Sequence, residues 1–388
     1  MGKMTLKIGA FTACMTVAAL VNAQDVKPIN VVTTAVPFLR ISPDARAGGM
    51  GEVAMATTPD ANSGFYNLAK TPFNTSKMGI GLTYTPWLKR LGLNDVYMVT
   101  LGGYYKLDEM QALSTHVRYF SLGNIQFTDD RGNEFGSARP REVAFDLGYS
   151  RKLSQKTGLG LALRYINSNL AGGQTVGGTT YKAGSAVAAD ISFFHNGQNA
   201  AGNGWSFGAA MTNLGSKIGY TSDASQKDYI PANLALGAAY SKVFNESNKI
   251  TFGVDLNKLM VPTPPFDPNQ PATPEEIADY RDQSVVGSWF SSFGDAPGGF
   301  GEELREFQVG GGIEYTYAEQ FSLRGGYFYE DKTKGNRKYF TLGAGLKYNV
   351  FNLNVSYIIP SGSGVNQNPL SNTLRFGIIF DINGGSKN

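Results

Sequence analysis

The chain has one cysteine, Cys14, two histidines and only 17% charged residues, and past residue 23 it contains no long apolar run. Each shortage removes a class of function. Residues 1–23 carry Lys3 and Lys7, then a mostly apolar stretch from Ile8 to Val21, then Val21, Asn22 and Ala23 before Gln24. This reads as a secretory signal peptide, with the mature chain starting at Gln24. A lipoprotein leader is the competing reading, because Phe11-Thr12-Ala13-Cys14 resembles a lipidation box, but the apolar stretch continues past the cysteine. With Cys14 in the leader, the mature chain has no disulfide, no cysteine-bound metal and no thiol nucleophile. Two lysines and no acid leave with the leader, so the formal charge falls from +3 to +1, which offers no footprint for nucleic acid. No later segment supplies the roughly 18–20 apolar residues of a transmembrane helix. If the mature chain crosses a membrane, it does so as a closed β-barrel, the other structure that satisfies its backbone in lipid.

What is abundant fits that alternative. There are 48 Gly, 20 Tyr and 24 Phe, residues suited to close-packed inner walls and interfacial aromatic girdles. From about residue 78 the apolar signal has period two, the signature of strands. Leu374, Phe376, Ile378 and Phe380 alternate with Arg375, Gly377, Ile379 and Asp381, and Leu159, Leu161, Leu163 and Tyr165 interleave with Gly160, Ala162 and Arg164. About fourteen such strands are expected, near 78–87, 94–106, 110–122, 141–152, 157–169, 182–194, 203–215, 230–243, 248–258, 305–317, 320–330, 336–348, 350–359 and 371–382. The glycines of Gly158-x-Gly160 and Gly343-x-Gly345 then belong to strand walls rather than to phosphate loops.

The connections carry further information. Short turns at 107–109, 153–156, 196–202, 244–247, 318–319 and Asn349 alternate with mostly longer connections at 123–140, 170–181, 216–229, 259–304, 331–335 and 360–370. That alternation is the layout of an outer-membrane barrel with periplasmic turns and outer loops. A soluble β-sandwich or propeller also has many short strands, but it does not sort its loops by parity. The expected fold is an all-β, transmembrane antiparallel barrel of about fourteen strands, integral to the outer membrane with both termini periplasmic. The expected division is a signal peptide over 1–23, an N-terminal segment over 24–77 and a barrel over 78–388. The segment lacks strand periodicity and is read as a hatch in the lumen rather than a plain periplasmic extension. A fourteen-strand lumen is too wide for its own side chains to fill. One helical turn is expected near Val53–Ala56, and the charges Asp44, Arg46 and Asp60 are expected to pair with strand residues such as Arg164, Arg324 or Asp146.

The run Ser42-Pro43-Asp44-Ala45-Arg46-Ala47-Gly48-Gly49-Met50-Gly51, followed by Asp60-Ala61-Asn62-Ser63-Gly64-Phe65-Tyr66-Asn67-Leu68-Ala69, resembles the hatch of the PorV (LptO) family of the type IX secretion system of Bacteroidetes. The barrel of that family is similar to the FadL long-chain fatty-acid transporter fold. There an Asn-Pro-Ala-like element ends the hatch, and Asn67-Leu68-Ala69 stands here without the proline. The resemblance implies a non-enzymatic cargo shuttle. It would bind the C-terminal signal domain of secreted cargo leaving a SprA (Sov)-type translocon and carry it to a PorU-type sortase and attachment complex. It also implies contact with outer-membrane lipid and lipopolysaccharide, and no cofactor. A FadL-like transporter of hydrophobic small molecules is the alternative; Gly102-Gly103 and Gly310-Gly311-Gly312 are places where strand pairing would weaken.

Loop 259–304 is the most informative connection, since loops beyond about 15 residues are usually functional or disordered. It opens on Pro262, Pro264, Pro265 and Pro268, has a helical turn expected at 274–280, and then presents Val285, Val286, Trp289, Phe290, Phe293 and Phe300. Such aromatics serve as partner anchors, or they dip into the outer leaflet or cap the lumen; both readings stand. Phe127 and Tyr220 are further partner-contact candidates on outer loops, and Asp44, Arg46, Gly48, Gly49, Asp60 and Asn67 are the hatch candidates. Asp129-Asp130-Arg131 resembles a calcium loop but lacks the ligand spacing and distal glutamate of an EF-hand, so it reads as a solvated turn. His116, in a strand, and His195, at a turn, have no metal or triad partner at recognisable spacing. An outer-membrane phospholipase-type activity therefore has no constellation behind it.

Overall fold

The computed structural model describes residues 29–89, 92–128, 131–176, 178–223, 225–266, 270–360, 370 and 372–383. The expected leader and the pair Asp129 and Asp130 lie outside them. Fourteen antiparallel strands close into one barrel. They are β1 Met78–Pro86, β2 Val96–Lys106, β3 Gln111–Leu122, β4 Arg141–Lys152, β5 Thr157–Asn169, β6 Gly184–Asn196, β7 Gly204–Gly215, β8 Asn233–Asn245, β9 Asn248–Leu259, β10 Gln308–Tyr317, β11 Phe321–Tyr329, β12 Lys338–Tyr348, β13 Phe351–Pro360 and β14 Leu374–Ile382. Pairing of Met78 with Ile382 through Tyr84 with Phe376 joins β1 to β14. An eleven-residue strand such as β2, rising about 3.3 Å per residue and tilted about 40°, covers about 28 Å, the thickness of a bilayer's hydrocarbon core.

The period-two pattern sets the two faces. Along β5, Leu159, Leu161, Leu163 and Tyr165 are exposed on the outside while Ala162, Arg164 and Ile166 are buried inside. The outer wall is apolar on strand after strand, a surface that only lipid covers without cost. The glycine runs do not weaken this wall. Gly102 and Gly103 pair with His116 and Thr115, and Gly310 to Gly312 pair on both sides without a break in register. The register shifts lie elsewhere, at Ala189/Ile191 and Val243/Asn245. His195 sits within the end of β6 rather than in a turn, its ring Nδ1 3.1 Å from the Thr157 hydroxyl.

Residues 29–77 run along the inside of the barrel from one end to the other. Asn30 bonds Thr333 through its backbone, and Ala35 bonds Tyr229, both in connections at the long-loop end. The chain then forms a 3-10 turn Pro37–Arg40, the helical turn α1 Ala45–Gly48, and 3-10 turns Ser63–Phe65 and Leu68–Phe73. The turn expected near Val53–Ala56 is absent; the Asp44 side chain accepts from the Ala47 amide at 2.8 Å and starts the helical turn at Ala45, eight residues earlier. Finally Asn74 accepts from Lys106 at the short-turn end, where β1 begins. The first and last described segments lie at opposite ends, Ile29 at the long-loop end and Ile382 at the other, while the expected periplasmic placement of the termini falls on residues outside those described. An even number of strands fixes where β1 starts and β14 stops. It does not fix where a segment that threads the lumen starts.

Candidate functional site

Two regions carry the buried charge and exposed apolar surface that a function needs: the segment inside the lumen, and the rim at the long-loop end.

Inside the lumen, small residues let backbone meet backbone. A Cβ on Gly326 would overlap Gly51 N and Met50 C, and Cβ atoms on Gly312 and Gly208 would overlap the carbonyl oxygens of Met50 and Met55. Gly51 itself adopts φ +66°, a left-handed conformation that costs other residues. Gly48 faces Arg375 and Gly49 faces Gly343 in the same close manner. Wall side chains then satisfy the backbone of the segment. Asp255 Oδ2 accepts from the Ala54 and Met55 amides at 2.6 and 2.8 Å, Thr341 accepts from Gly51, and Arg118 donates to the Leu39 and Phe65 carbonyls. Asn67 donates to the Met55 and Phe193 carbonyls and accepts from the Ala69 amide, so it ties two parts of the segment to β6.

Arg46 is the electrostatic centre of this packing. It donates to Glu314 at 3.0 and 2.8 Å, to Thr58, and to Asp60 at 3.1 Å, and Arg324 approaches the same Glu314 at 2.6 Å. The expected pairing of hatch charge with Arg324 thus runs through Glu314, an acid that sequence reasoning missed. Arg164 and Asp146 do not take part; they pair with each other, and Arg164 also pairs with Asp190, inside the wall. Asp255, Arg118 and Arg375 were missed as well, because alternation marks them only as inward polar positions, and so was Glu52, the partner of Arg375 in the irregular segment.

At the rim, the long connection between β9 and β10 forms a folded cap. Helix α2 Pro274–Asp282 starts with a capping box of Thr273 and Glu276, and α3 Val285–Ser291 starts at Ser284, whose side chain accepts from the Gly287 amide. The two turns of α3 separate its apolar residues by i, i+4 spacing. Val285 and Trp289 pack on Tyr229, Leu259, Met260 and Val261, whereas Val286 and Phe290 face away, Phe290 70% exposed. Phe300, 76% exposed, opens the short helix α4 Phe300–Glu303, and Phe293 is partly exposed beside Lys258, whose ammonium lies 5.4 Å from its ring centre. Of the six candidates, four form outward apolar surface and two form the underside. Tyr220 is half-buried and donates to Ser168 at 2.9 Å, and Phe127 lies on the hairpin Ile125–Thr128/Glu134–Ala138, apart from the cap.

A buried charge cluster holds the cap down. Lys258, at the top of β9, contacts Glu303 at 3.1 Å and Glu306 at 2.5 Å; Lys334 contacts Glu306 at 3.0 Å and Glu302 at 2.5 Å. Nearby, Thr263 donates to Asp295, whose carboxyl is raised above its usual range by burial. The N-terminal strand of chain joins the same place, since Asn30 bonds Thr333 and Val32 packs on Leu259 to Val261.

Comparison with known proteins agrees with this architecture. The chain is similar to the toluene transporter TbuX of Ralstonia pickettii, with 9% identity over 87% of this chain and 97% of that one and a TM-score of 0.51. It is also similar to the toluene transporter TodX of Pseudomonas putida, with 11% identity over 88% and 98% and a TM-score of 0.50. A FadL homologue of Pseudomonas aeruginosa is similar too, at 10% identity over 91% and 99%, with a TM-score of 0.46. At such identities the likeness shows the fold alone. No curated protein matches the chain. The family model of the type IX secretion system protein PorV matches residues 22–266, more than half of the 388. The chain therefore belongs to the PorV family, an outer-membrane component of type IX secretion.

Proposed function

We propose that this barrel is a non-enzymatic carrier of type IX secretion that receives the C-terminal signal domain of cargo from a SprA-type translocon and passes it to a PorU-type sortase and attachment complex. In this reading the long-loop end faces out of the cell, and residues 29–77 act as a hatch that closes the lumen. The observation that carries it is the pairing of an exposed apolar surface, Val286, Phe290, Phe293 and Phe300, with a buried charge cluster that fixes it. Presenting rigid aromatics at a rim lowers the ordering cost of binding a folded partner. Double substitution Phe290→Asp and Phe300→Asp removes two anchors of about 2 kcal/mol each. Capture of an isolated cargo signal domain by the purified barrel is expected to weaken by about a thousandfold, with the heat-modifiable migration of the barrel unchanged. Unchanged capture refutes the assignment of this surface.

A second reading, a channel for hydrophobic molecules, draws on the similarity to proteins described as toluene transporters. The lumen argues against it. The cavity between the hatch and the wall measures about 110 Å³ and is lined by Arg40, Arg118, Asp255 and Asn257 as well as by Leu39, Met55, Phe65 and Phe328. Small-molecule sites are usually 300–1,000 Å³ and mostly apolar. Saturable binding of toluene or a fatty acid by the purified barrel would favour the channel.

A further inference from the structure

The outward face of β2, β3 and β4 changes character in successive rows toward the long-loop end. Cross-strand register sets Leu101, Val117 and Phe145 in one row, Val99, Tyr119 and Val143 in the next, and Tyr97, Ser121 and Arg141 in the third. The wall thus passes from hydrocarbon-like, through a tyrosine band, to hydroxyl and guanidinium within three steps of a pleated sheet. The band is continuous: Tyr84, Tyr97 and Tyr119 stand with ring centres 5.8 and 6.1 Å apart. Tyrosines at such a level mark the membrane–water interface.

Above the band lies a depression of about 420 Å³ lined by Tyr97, Tyr119, Ser121, Asn124, Arg139 and Arg141. Pro140 and Glu142 are buried, so period two puts both arginines on the outer side of the wall. Among the described residues neither guanidinium has an ion-pair or hydrogen-bond partner. Asp95, the acid of the depression, is engaged by its own surroundings: its Oδ2 accepts from the Asn124 amide at 2.7 Å and its carbonyl accepts from Ser121. Two guanidiniums without a protein partner among the described residues recognise a tetrahedral oxyanion by forked hydrogen bonds.

We infer that this depression binds the phosphate-bearing headgroup of a membrane lipid, with the lipid's acyl chains lying on the rows below. A free anion would be served by the depression alone; continuity with the apolar rows selects a lipid. The site is on the outer wall, away from the rim cap, and does not depend on cargo carriage.

The test titrates diphosphorylated lipid A, and the same lipid A after enzymatic removal of its phosphates, into the intact detergent-solubilised barrel and counts bound lipid by native mass spectrometry. The wild-type protein is expected to hold the phosphorylated form at least about tenfold more tightly than the dephosphorylated one. Double substitution Arg139→Ala and Arg141→Ala is expected to abolish that preference, while Arg151→Ala at the short-turn end preserves it. Equal binding of the two lipids by the wild-type protein overturns the proposal, as does an undiminished preference in the double variant. Complete displacement of lipid A by millimolar inorganic phosphate would also overturn it, since the site would then be one for a soluble anion. The wild-type comparison keeps the proposal refutable even if the double variant does not fold.

Discussion

Replacing Lys258 by Met keeps the length of the side chain and removes the charge under the rim cap. In the native structure this ammonium is 1% exposed and faces Glu303 and Glu306, whose side chains are 5% and 6% exposed. Removing one partner of a buried pair leaves the other charge without compensation and costs about 3–5 kcal/mol. Glu306 retains Lys334 at 3.0 Å, but among the described residues Glu303 has no second cation within 4 Å, and its other oxygen accepts from the Ala296 amide. The loss therefore falls on the cap and not on the barrel, whose ladders are untouched. At the lower bound of about 3 kcal/mol, amide exchange across α2, α3 and α4 accelerates by about a hundredfold. Hydrogen exchange with mass spectrometry, comparing peptides of 274–306 with peptides of β4 and β5, reads this directly. The double variant Lys258→Met with Glu303→Gln removes the orphaned charge, keeps an oxygen for Ala296 and restores most of the protection. Unchanged exchange over 274–306 in the single variant refutes the reasoning. Equal acceleration in single and double variants refutes it too, since packing rather than charge would then hold the cap.

Gly326→Val puts side-chain atoms where Gly51 and Met50 now lie; the lumen segment is expected to unseat and become protease-sensitive near 46–52 while the barrel band on unheated gels persists. Arg46→Met strands Glu314 against Arg324 alone and breaks the link to Thr58 and Asp60, so the same protease assay is expected to show an intermediate sensitivity. An epitope inserted immediately before Ile29 is expected to bind antibody on intact cells, because that end of the described chain sits at the long-loop rim; labelling only after permeabilisation would contradict the outward orientation. Burial works to raise the Glu302 carboxyl, but the Lys334 ammonium and the Gly298 amide outweigh it and hold it below the ordinary 4.5. A lowered native value means the carboxylate stabilises the cap above pH 4.5 and loses that contribution as the pH falls through the native value. Protection over 298–306, corrected for the intrinsic slowing of exchange in acid, should accordingly fall on acidification below about pH 4.5, and Glu302→Gln should flatten that dependence.

The fourteen strands were legible in the sequence because a lipid-facing wall demands period-two alternation within each segment, and Leu159 to Tyr165 or Leu374 to Phe380 display it without reference to anything distant. Loop parity followed from the same local reading and gave closure of the barrel. The resemblance at 42–51 and 60–69 pointed to the family. Tertiary structure alone decided which charges meet: Arg46 and Glu314 lie 268 positions apart, and no periodicity connects a residue of an irregular segment to one inward position among the many on fourteen strands. It alone decided the course of residues 29–77 through the lumen, and so the end at which the described chain begins. It also sorted the aromatic loop. Trp289 and Phe290 are equal candidates by composition, yet the rotation of α3 by about 100° per residue turns one onto Leu259 and Met260 and the other to solvent. That rotation is fixed by the contacts beneath the helix, which come from the neighbouring loop at Tyr229 and the end of β9.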